Sequence, residues 1–230
     1  MTVTEKAYKK PYKGLPMEGL IANWYARNTK SDVRHRGCAD ALMATLPAGA
    51  RVLELAPGPG YLAIELAKRG AFRVSGLDIS ESFVRIARDN AGAEGLAIDF
   101  RQGNASQMPY PDESFDFVVC QAAFKNFTDP LGALNETYRV LVPGGRASIY
   151  DLRKEATLAD VDAEVKGMNL SPASALFTRF VFRSVLLKNA YREDALQRLV
   201  AESRFGSGEL RRQGIGFELR LVKGEGEQKK

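Results

Sequence analysis

The stretch whose reading decides the fold is Arg51-Val52-Leu53-Glu54-Leu55-Ala56-Pro57-Gly58-Pro59-Gly60. Val52–Leu55 reads as a short buried strand, and Tyr61–Arg69 as the helix that follows it. The turn between them carries glycine at 58 and 60, where a side chain would block a ligand from approaching the backbone. The amides at the N-terminus of the new helix face whatever anionic group lies above them. Strand, glycine-rich turn and helix together predict the nucleotide-binding end of a doubly wound α/β sheet.

Two groups of cofactors use this geometry, dinucleotides and S-adenosylmethionine. Gly58-Pro59-Gly60-Tyr61-Leu62-Ala63 formally satisfies the dinucleotide pattern G-x-G-x-x-G/A. Glu54, four residues before Gly58, argues the other way. A carboxylate at the end of the first strand repels a pyrophosphate but suits the cationic amino and sulfonium groups of S-adenosylmethionine.

The chain has 230 residues, enough for one well-buried domain with additions, and its 45% hydrophobic and 27% charged content is ordinary for a globular protein. It has no apolar run approaching a membrane span and no signal-peptide core after Met1. The two cysteines, Cys38 and Cys120, offer neither a disulfide framework nor a metal cluster. Cytoplasmic is the default location. The net charge of +5 is uneven, because residues 1–36 alone sum to +5 and the other 194 balance. The basic arm of residues 1–16 could meet RNA or an anionic substrate; a solvated, flexible arm is the reading preferred.

Beyond the arm, Met17–Arg27 carries Leu20, Ile21, Trp24 and Tyr25 at helical spacing, and Ser31-Asp32 caps a second helix to about Leu46. The middle alternates strand and helix. Strands are expected at Phe72–Leu77, Ile98–Arg101, Phe115–Cys120 and Arg146–Leu152. Between them lie helices at Glu81–Asn90, capped by Ser80, and Pro130–Leu141, stopped by Pro143-Gly144-Gly145. Residues 153–190 hold two helical patterns, Leu158–Met168 and Pro172–Leu187, where a simple crossover needs one. A helix over Arg192–Ser203 and strands Glu209–Gln213 and Phe217–Lys223 follow, the last two joined as a hairpin through Gly214-Ile215-Gly216. Residues 224–230 read as a disordered tail.

The second strand ends in Gly76-Leu77-Asp78-Ile79-Ser80, placing Asp78 18 residues beyond Gly60. That is close to the spacing at which an acid meets ribose, and two oxygens on one carboxylate can accept from a vicinal diol. Then come Arg101-Gln102-Gly103-Asn104-Ala105-Ser106-Gln107-Met108-Pro109 and Ser114–Cys120, and later Glu136–Gly145. With Val52–Gly60 and Gly76–Ser80 these make five segments in order and in register. Over residues 50–152 the chain resembles a class I S-adenosylmethionine-dependent methyltransferase, of the subgroup that includes ubiquinone/menaquinone-type enzymes.

The resemblance implies a Rossmann-like seven-stranded sheet in the order 3-2-1-4-5-7-6, its last strand antiparallel. One domain, residues 17–223, would be lidded by helices at 17–46 and covered by the 153–190 insert. Glu54 and the backbone of Ala56, Gly58 and Gly60 would hold the methionine portion of S-adenosyl-L-methionine. Asp78 would hold the ribose, with Ile79 against the adenine, Asn104 and Ala105 at the adenine edge and Gln121 beside the methionine end. Tyr25 and Trp24 on the lid would wall the pocket. The chain departs from the family pattern where Pro57 and Pro59 stiffen the turn, and where Asn104 stands for the usual Asp. Phe124-Lys125-Asn126-Phe127 lies where many relatives carry histidines.

Methyl transfer asks mainly for alignment and exclusion of water, so a base is optional. Candidates are His35, the only histidine, with Tyr25 and Lys125; for His35 and Lys125 surface charge is the simpler reading. The insert's Leu176, Phe177, Phe180, Val181, Val185 and Leu186 form an apolar stripe. They point to an apolar or aromatic small-molecule acceptor, or to a homodimer face. A non-catalytic cofactor sensor and an RNA methyltransferase using the arm are the competing functions, and a dehydrogenase is a distant third.

Overall fold

Strand β1 (Arg51–Leu55) pairs in parallel with β2 (Arg73–Asp78) on one side and β4 (Phe115–Gln121) on the other. The computed structural model describes residues 12–13, 17–29, 33–70, 72–168 and 171–225. Within them β3 (Asp99–Gln102) adds to β2, and β5 (Leu141–Leu152) adds to β4, all in parallel. The antiparallel strand β7 (Gly216–Val222) joins β5 to β6 (Glu209–Gln213). The resulting order is β3-β2-β1-β4-β5-β7-β6, as the resemblance implies. The chain lays β2 and β3 to one side of β1 and the rest to the other, so the crevice opens where β1 meets β4, beyond their carboxyl ends.

Alternating residues of the central strands feed two cores. Val52, Phe117 and Val119 pack against α2 (Val33–Met43), α3 (Tyr61–Lys68) and α4 (Glu81–Ala93) through Leu42, Leu62, Leu66 and Ala87. Leu53, Leu55, Val118 and Cys120 face α5 (Pro130–Val140) and α8 (Glu193–Glu202) through Leu134, Leu196 and Val200. A sheet buried on both faces explains the near-continuous apolar strands.

Two expected boundaries move by more than three residues. Strand β5 begins at Leu141, five residues before the expected Arg146. Phe115 pairs with Leu141 but Phe117 with Arg146, so Pro143-Gly144-Gly145 form an irregularity inside the strand instead of a stop after the helix. Proline and glycine are tolerated at such bulges. Helix α7 spans Pro172–Val181 and then widens into a π turn over Phe182–Leu186. That turn buries Phe182 against Val161, Val165 and Ile215, a tertiary contact that periodicity does not register. The expected Ser31-Asp32 cap lies outside the described residues, as do most of the arm and residues 226–230.

Helix α1 (Gly19–Thr29) is strapped to the start of α4. Ser80 Oγ donates to Met17 O (2.6 Å), Gly19 N to Ser82 Oγ (2.9 Å), and Ser82 N to Glu18 Oε2 (3.0 Å). An acid at a helix N-terminus is favourable. Tyr61 Oη donates to Ala26 O (2.7 Å), tying the same helix to α3. From the arm, Lys13 N donates to Asn126 O (2.8 Å), beyond β4.

Phe100 wedges beneath the glycine turn. A Cβ on Gly60 would stand 2.9 Å from its Cζ, and one on Gly76 2.5 Å from its Cδ1. Gly60 also has φ +81, whereas Gly58, at φ +54, has open space around it. Gly60→Ala should therefore lower unfolding stability by about 2–4 kcal/mol, from left-handed backbone strain and overpacking together. Gly58→Ala should lose about 1 kcal/mol, because it meets only the backbone term. Urea unfolding of the two variants checks this, and equal losses would refute the wedge.

Candidate active site

The carboxyl edge of β1, β2 and β4 gathers the predicted residues. Asp78, the last residue of β2, accepts from Gly58 N through Oδ2 and from Ser80 N through Oδ1, both at 2.9 Å. One side chain thus ties the glycine turn to the start of α4. Burial pushes the Asp78 carboxyl up to about 6, against the amide bonds from Ser80 and Gly58 that hold it down. Glu54 accepts from Ala63 N (2.9 Å), in the first turn of α3, and so caps that helix from the strand. Its carboxyl is pushed up to about 8, chiefly by burial, with the Ala63 bond opposing and the Asp78 charge adding. Two buried acids whose charged forms are disfavoured make a receptor for a cation, and each oxygen keeps a lone pair for a further donor.

Beyond β4 the structure joins two residues that sequence reasoning named separately. His35 Nδ1 lies 2.8 Å from Gln121 Oε1, across 86 residues. A carbonyl oxygen only accepts, so Nδ1 carries the hydrogen and Nε2 is the ring's basic nitrogen. The half-buried His35 is therefore not a solvated neighbour of two arginines. The surface-charge reading of Lys125 fails as well. Lys125 is 7% exposed, with Nζ donating to Asp151 Oδ1 (2.9 Å) and to Ala122 O (2.7 Å). Asp151 also accepts from Lys125 N and Leu152 N, both at 2.8 Å. Non-glycine residues with positive φ stand at the ends of both central strands, Ala56 (52°) after β1 and Ala122 (59°) after β4. Strain of this kind persists where the surroundings over-determine the backbone.

The adenine-side candidates lie beyond β2 and β3. Ile79 accepts through its carbonyl from Gln102 Nε2 (3.3 Å). Asn104 Oδ1 takes two bonds from Ser106, N and Oγ, each 3.0 Å, which leaves the Asn104 amide NH2 as the group with capacity to spare. Ala105 packs partly buried against the core. On the lid, the Tyr25 ring meets Phe83 of α4 edge-on at 5.7 Å, while Trp24 is largely exposed.

Sequence reasoning missed Asp151, Glu18 and Tyr12. Asp151 is a lone acid near the end of an apolar strand, a signal as legible as that of Asp78, but nothing local pairs it with Lys125. Tyr12, in the arm, bridges to Phe127 and accepts from Asn126 Nδ2 (3.1 Å), and no periodicity announces it. Burial pushes its phenol up to about 12, helped by the charges of Asp78 and Asp151.

The raised Glu54 carboxyl has a measurable sign. The folded chain holds that proton more tightly than the unfolded chain, so the stability it contributes is present below about pH 4.5 and is lost as pH rises to about 8. Glu54→Gln stays neutral and keeps an acceptor for Ala63 N. Relative to wild type without ligand, it should gain stability steadily from about pH 4.5 to 8, by a few kcal/mol at about 1.4 kcal/mol per pH unit. Denaturant midpoints across that range test it, and a flat difference would mean that Glu54 is not desolvated.

Residues 53–149 match the methyltransferase-domain family. The demethylmenaquinone methyltransferase of Deinococcus radiodurans is 43% identical over 108 residues, 46% of this chain and 45% of that protein. The ubiquinone/menaquinone biosynthesis C-methyltransferase of Hydrogenovibrio crunogenus is 41% identical over 107 residues, 45% of this chain and 42% of that one. These matches span less than half of either relative. An assigned S-adenosyl-L-methionine-dependent methyltransferase of Methanococcus maripaludis superposes with a TM-score of 0.75 at 23% identity, covering 94% of this chain and 98% of that chain; this likeness shows the fold. Residues 53–149, which carry the acidic turn and most of strands β1 to β5, are a methyltransferase domain by this match, and the seven-stranded order is the fold of the superposed methyltransferase.

Proposed function

We propose that the chain transfers a methyl group from S-adenosyl-L-methionine to a small apolar or aromatic acceptor, releasing S-adenosyl-L-homocysteine. The observation that carries this reading is the pair of buried, raised carboxylates, Asp78 bonded to Gly58 N in the turn and Glu54 to Ala63 N in the helix that follows it. Glu54 would hold the cationic amino group, with the backbone of Ala56, Gly58 and Gly60 along the methionine chain. Asp78 would take both ribose hydroxyls on its remaining lone pairs. Ile79 and Ala105 would flank the adenine, and the Asn104 NH2 would donate to a ring nitrogen. Tyr25 and Gln121 would close the site from the lid and from β4.

The cofactor supplies a methyl group already activated on a sulfonium. The chain's own residues have only to orient an acceptor, exclude water and, where the acceptor carries a proton, remove it. His35 would take that last task, a reading supported by its bond to Gln121, which holds the ring and leaves Nε2 to accept. Lys125, held by Asp151 and Ala122, positions the loop after β4. The relatives named for quinone biosynthesis support an aromatic acceptor, and the 153–190 insert would cover it.

Calorimetry with S-adenosylmethionine and S-adenosylhomocysteine should show micromolar binding, about −8 kcal/mol. Asp78→Asn should weaken it about tenfold to hundredfold by removing a charged acceptor. Binding without turnover over a panel of quinone-like and other aromatic acceptors would leave a cofactor sensor. Activity lost on deleting residues 1–16, with steep salt dependence, would indicate an RNA acceptor, and NAD binding in place of both ligands a dehydrogenase.

With an acceptor in hand, His35→Ala should lower kcat about 10²- to 10⁴-fold and leave cofactor affinity unchanged. A full-rate variant would show that no base acts from α2.

A further inference from the structure

Two helices that rise from the ligand edge of the sheet turn large apolar side chains outward. On α1, Leu20 and Trp24 are 87% and 65% exposed, with Ile21 beside them. On α7, Leu176, Phe177 and Phe180 are 61–70% exposed. Residues spaced i, i+1, i+4 share one helical face. Large apolar residues scattered singly over a surface are ordinary, but contiguous faces mark interaction sites.

Topology puts both faces at one end of the molecule. Helix α1 is strapped to the start of α4, just beyond the carboxyl end of β2. Helix α6 (Leu158–Gly167) and α7 follow the carboxyl end of β5. Their core contact Phe182 packs near Ile215, in the β6–β7 turn at that same edge. The two apolar faces therefore flank the crevice between them.

Charge follows the same segments. Residues 1–36 carry +5, and residues 172–189 carry +3, from Arg179, Arg183 and Lys188 with no acid. The whole chain carries +5, so everything else sums to −3. Arg179 is paired with Asp162 (2.6 Å); among the described residues, Arg27, Arg183 and Lys188 are exposed cations on or just beyond the helices that carry the apolar faces. Apolar side chains with cations beside them suit an anionic lipid interface, where the side chains enter the acyl boundary and the cations meet headgroups. A second copy of the chain would bring like charges together, and a nucleic acid would leave Leu20 and Leu176 without an apolar partner.

We propose that the exposed faces of α1 and α7 dock the crevice onto a bilayer containing anionic lipid, so that an apolar acceptor enters from the membrane. The entry of the acceptor rests on the function proposed above; the docking does not. The test is co-flotation of the full chain, without cofactor or acceptor, with vesicles of phosphatidylcholine alone or mixed with phosphatidylglycerol. The chain should float with the mixed vesicles only, and less as salt rises. Phe177→Ser with Phe180→Ser should lower partitioning about tenfold or more, the scale of a buried aromatic side chain. Arg183→Glu with Lys188→Glu should lower it about tenfold. All four side chains lie on the surface or in a wide turn, and thermal melting reports whether each variant stays folded. Flotation with neither vesicle, or equally with both, would overturn the proposal. So would sedimentation showing a dimer that the Phe177/Phe180 variant dissociates. A chain that methylates but does not float keeps its function and loses this surface; one that floats without methylating does the reverse.

Discussion

The carboxylate of Asp78 is the constraint on which the ligand edge depends. Its two oxygens accept from Gly58 N and Ser80 N, so one residue sets the turn after β1 and the loop after β2. Ser80 passes the constraint on: it caps α4 through Phe83 N (3.0 Å) and donates to Met17 O, which anchors helix α1. The chain from strand to lid is made of bonds to backbone, and these leave little freedom for the crevice to widen. Two such bonds favour ionised Asp78, yet burial outweighs them and its carboxyl still rises. A site organised around a disfavoured negative charge is strengthened by whatever cation or donor it receives.

The same edge also holds a compensated charge, and the contrast separates two roles. Lys125 and Asp151 are buried together, and Asp151 takes two further backbone bonds. A pair so satisfied contributes geometry more than stability, since breaking one partner would strand the other. It holds the loop after β4 in a fixed shape beside the strained Ala122. Glu54 and Asp78 have no such cation among the bonds the described residues give them. One pair is therefore architecture, and the other is open to a ligand.

How much of this was legible in the sequence depended on how local the cause was. The strand, glycine turn and helix around Gly58 and Gly60 are a local pattern, and so are the Ser80 cap and the acid ending β2; each stands where the residues indicated. The start of β5 was misjudged because Pro143-Gly144-Gly145 carry the residues of a stop, and only pairing with β4 shows that they bulge within a strand. The stretch Pro172–Leu187 is helical throughout, but only the packing of Phe182 under the insert shows that it widens into a π turn after Val181. His35 and Lys125 looked like surface charges because their partners, Gln121 and Asp151, lie far along the chain in one case and across a strand in the other. No window of sequence shows either pair.

The division between legible and hidden residues follows the division of labour in the molecule. The methyltransferase-domain match ends at residue 149, inside β5, and Glu54, Asp78, Asn104 and Gln121 all precede that point. Each of these four is set by a turn, a cap or a strand end, and such devices constrain residue types at fixed spacing. Helix α1, before the match, and α6–α7, after it, are held by packing that many apolar residues satisfy. A similarity carried by the first half of this arrangement therefore speaks to the methyl donor. An acceptor preference would be written outside the match, where α1 and α7 turn Leu20, Trp24, Leu176, Phe177 and Phe180 outward.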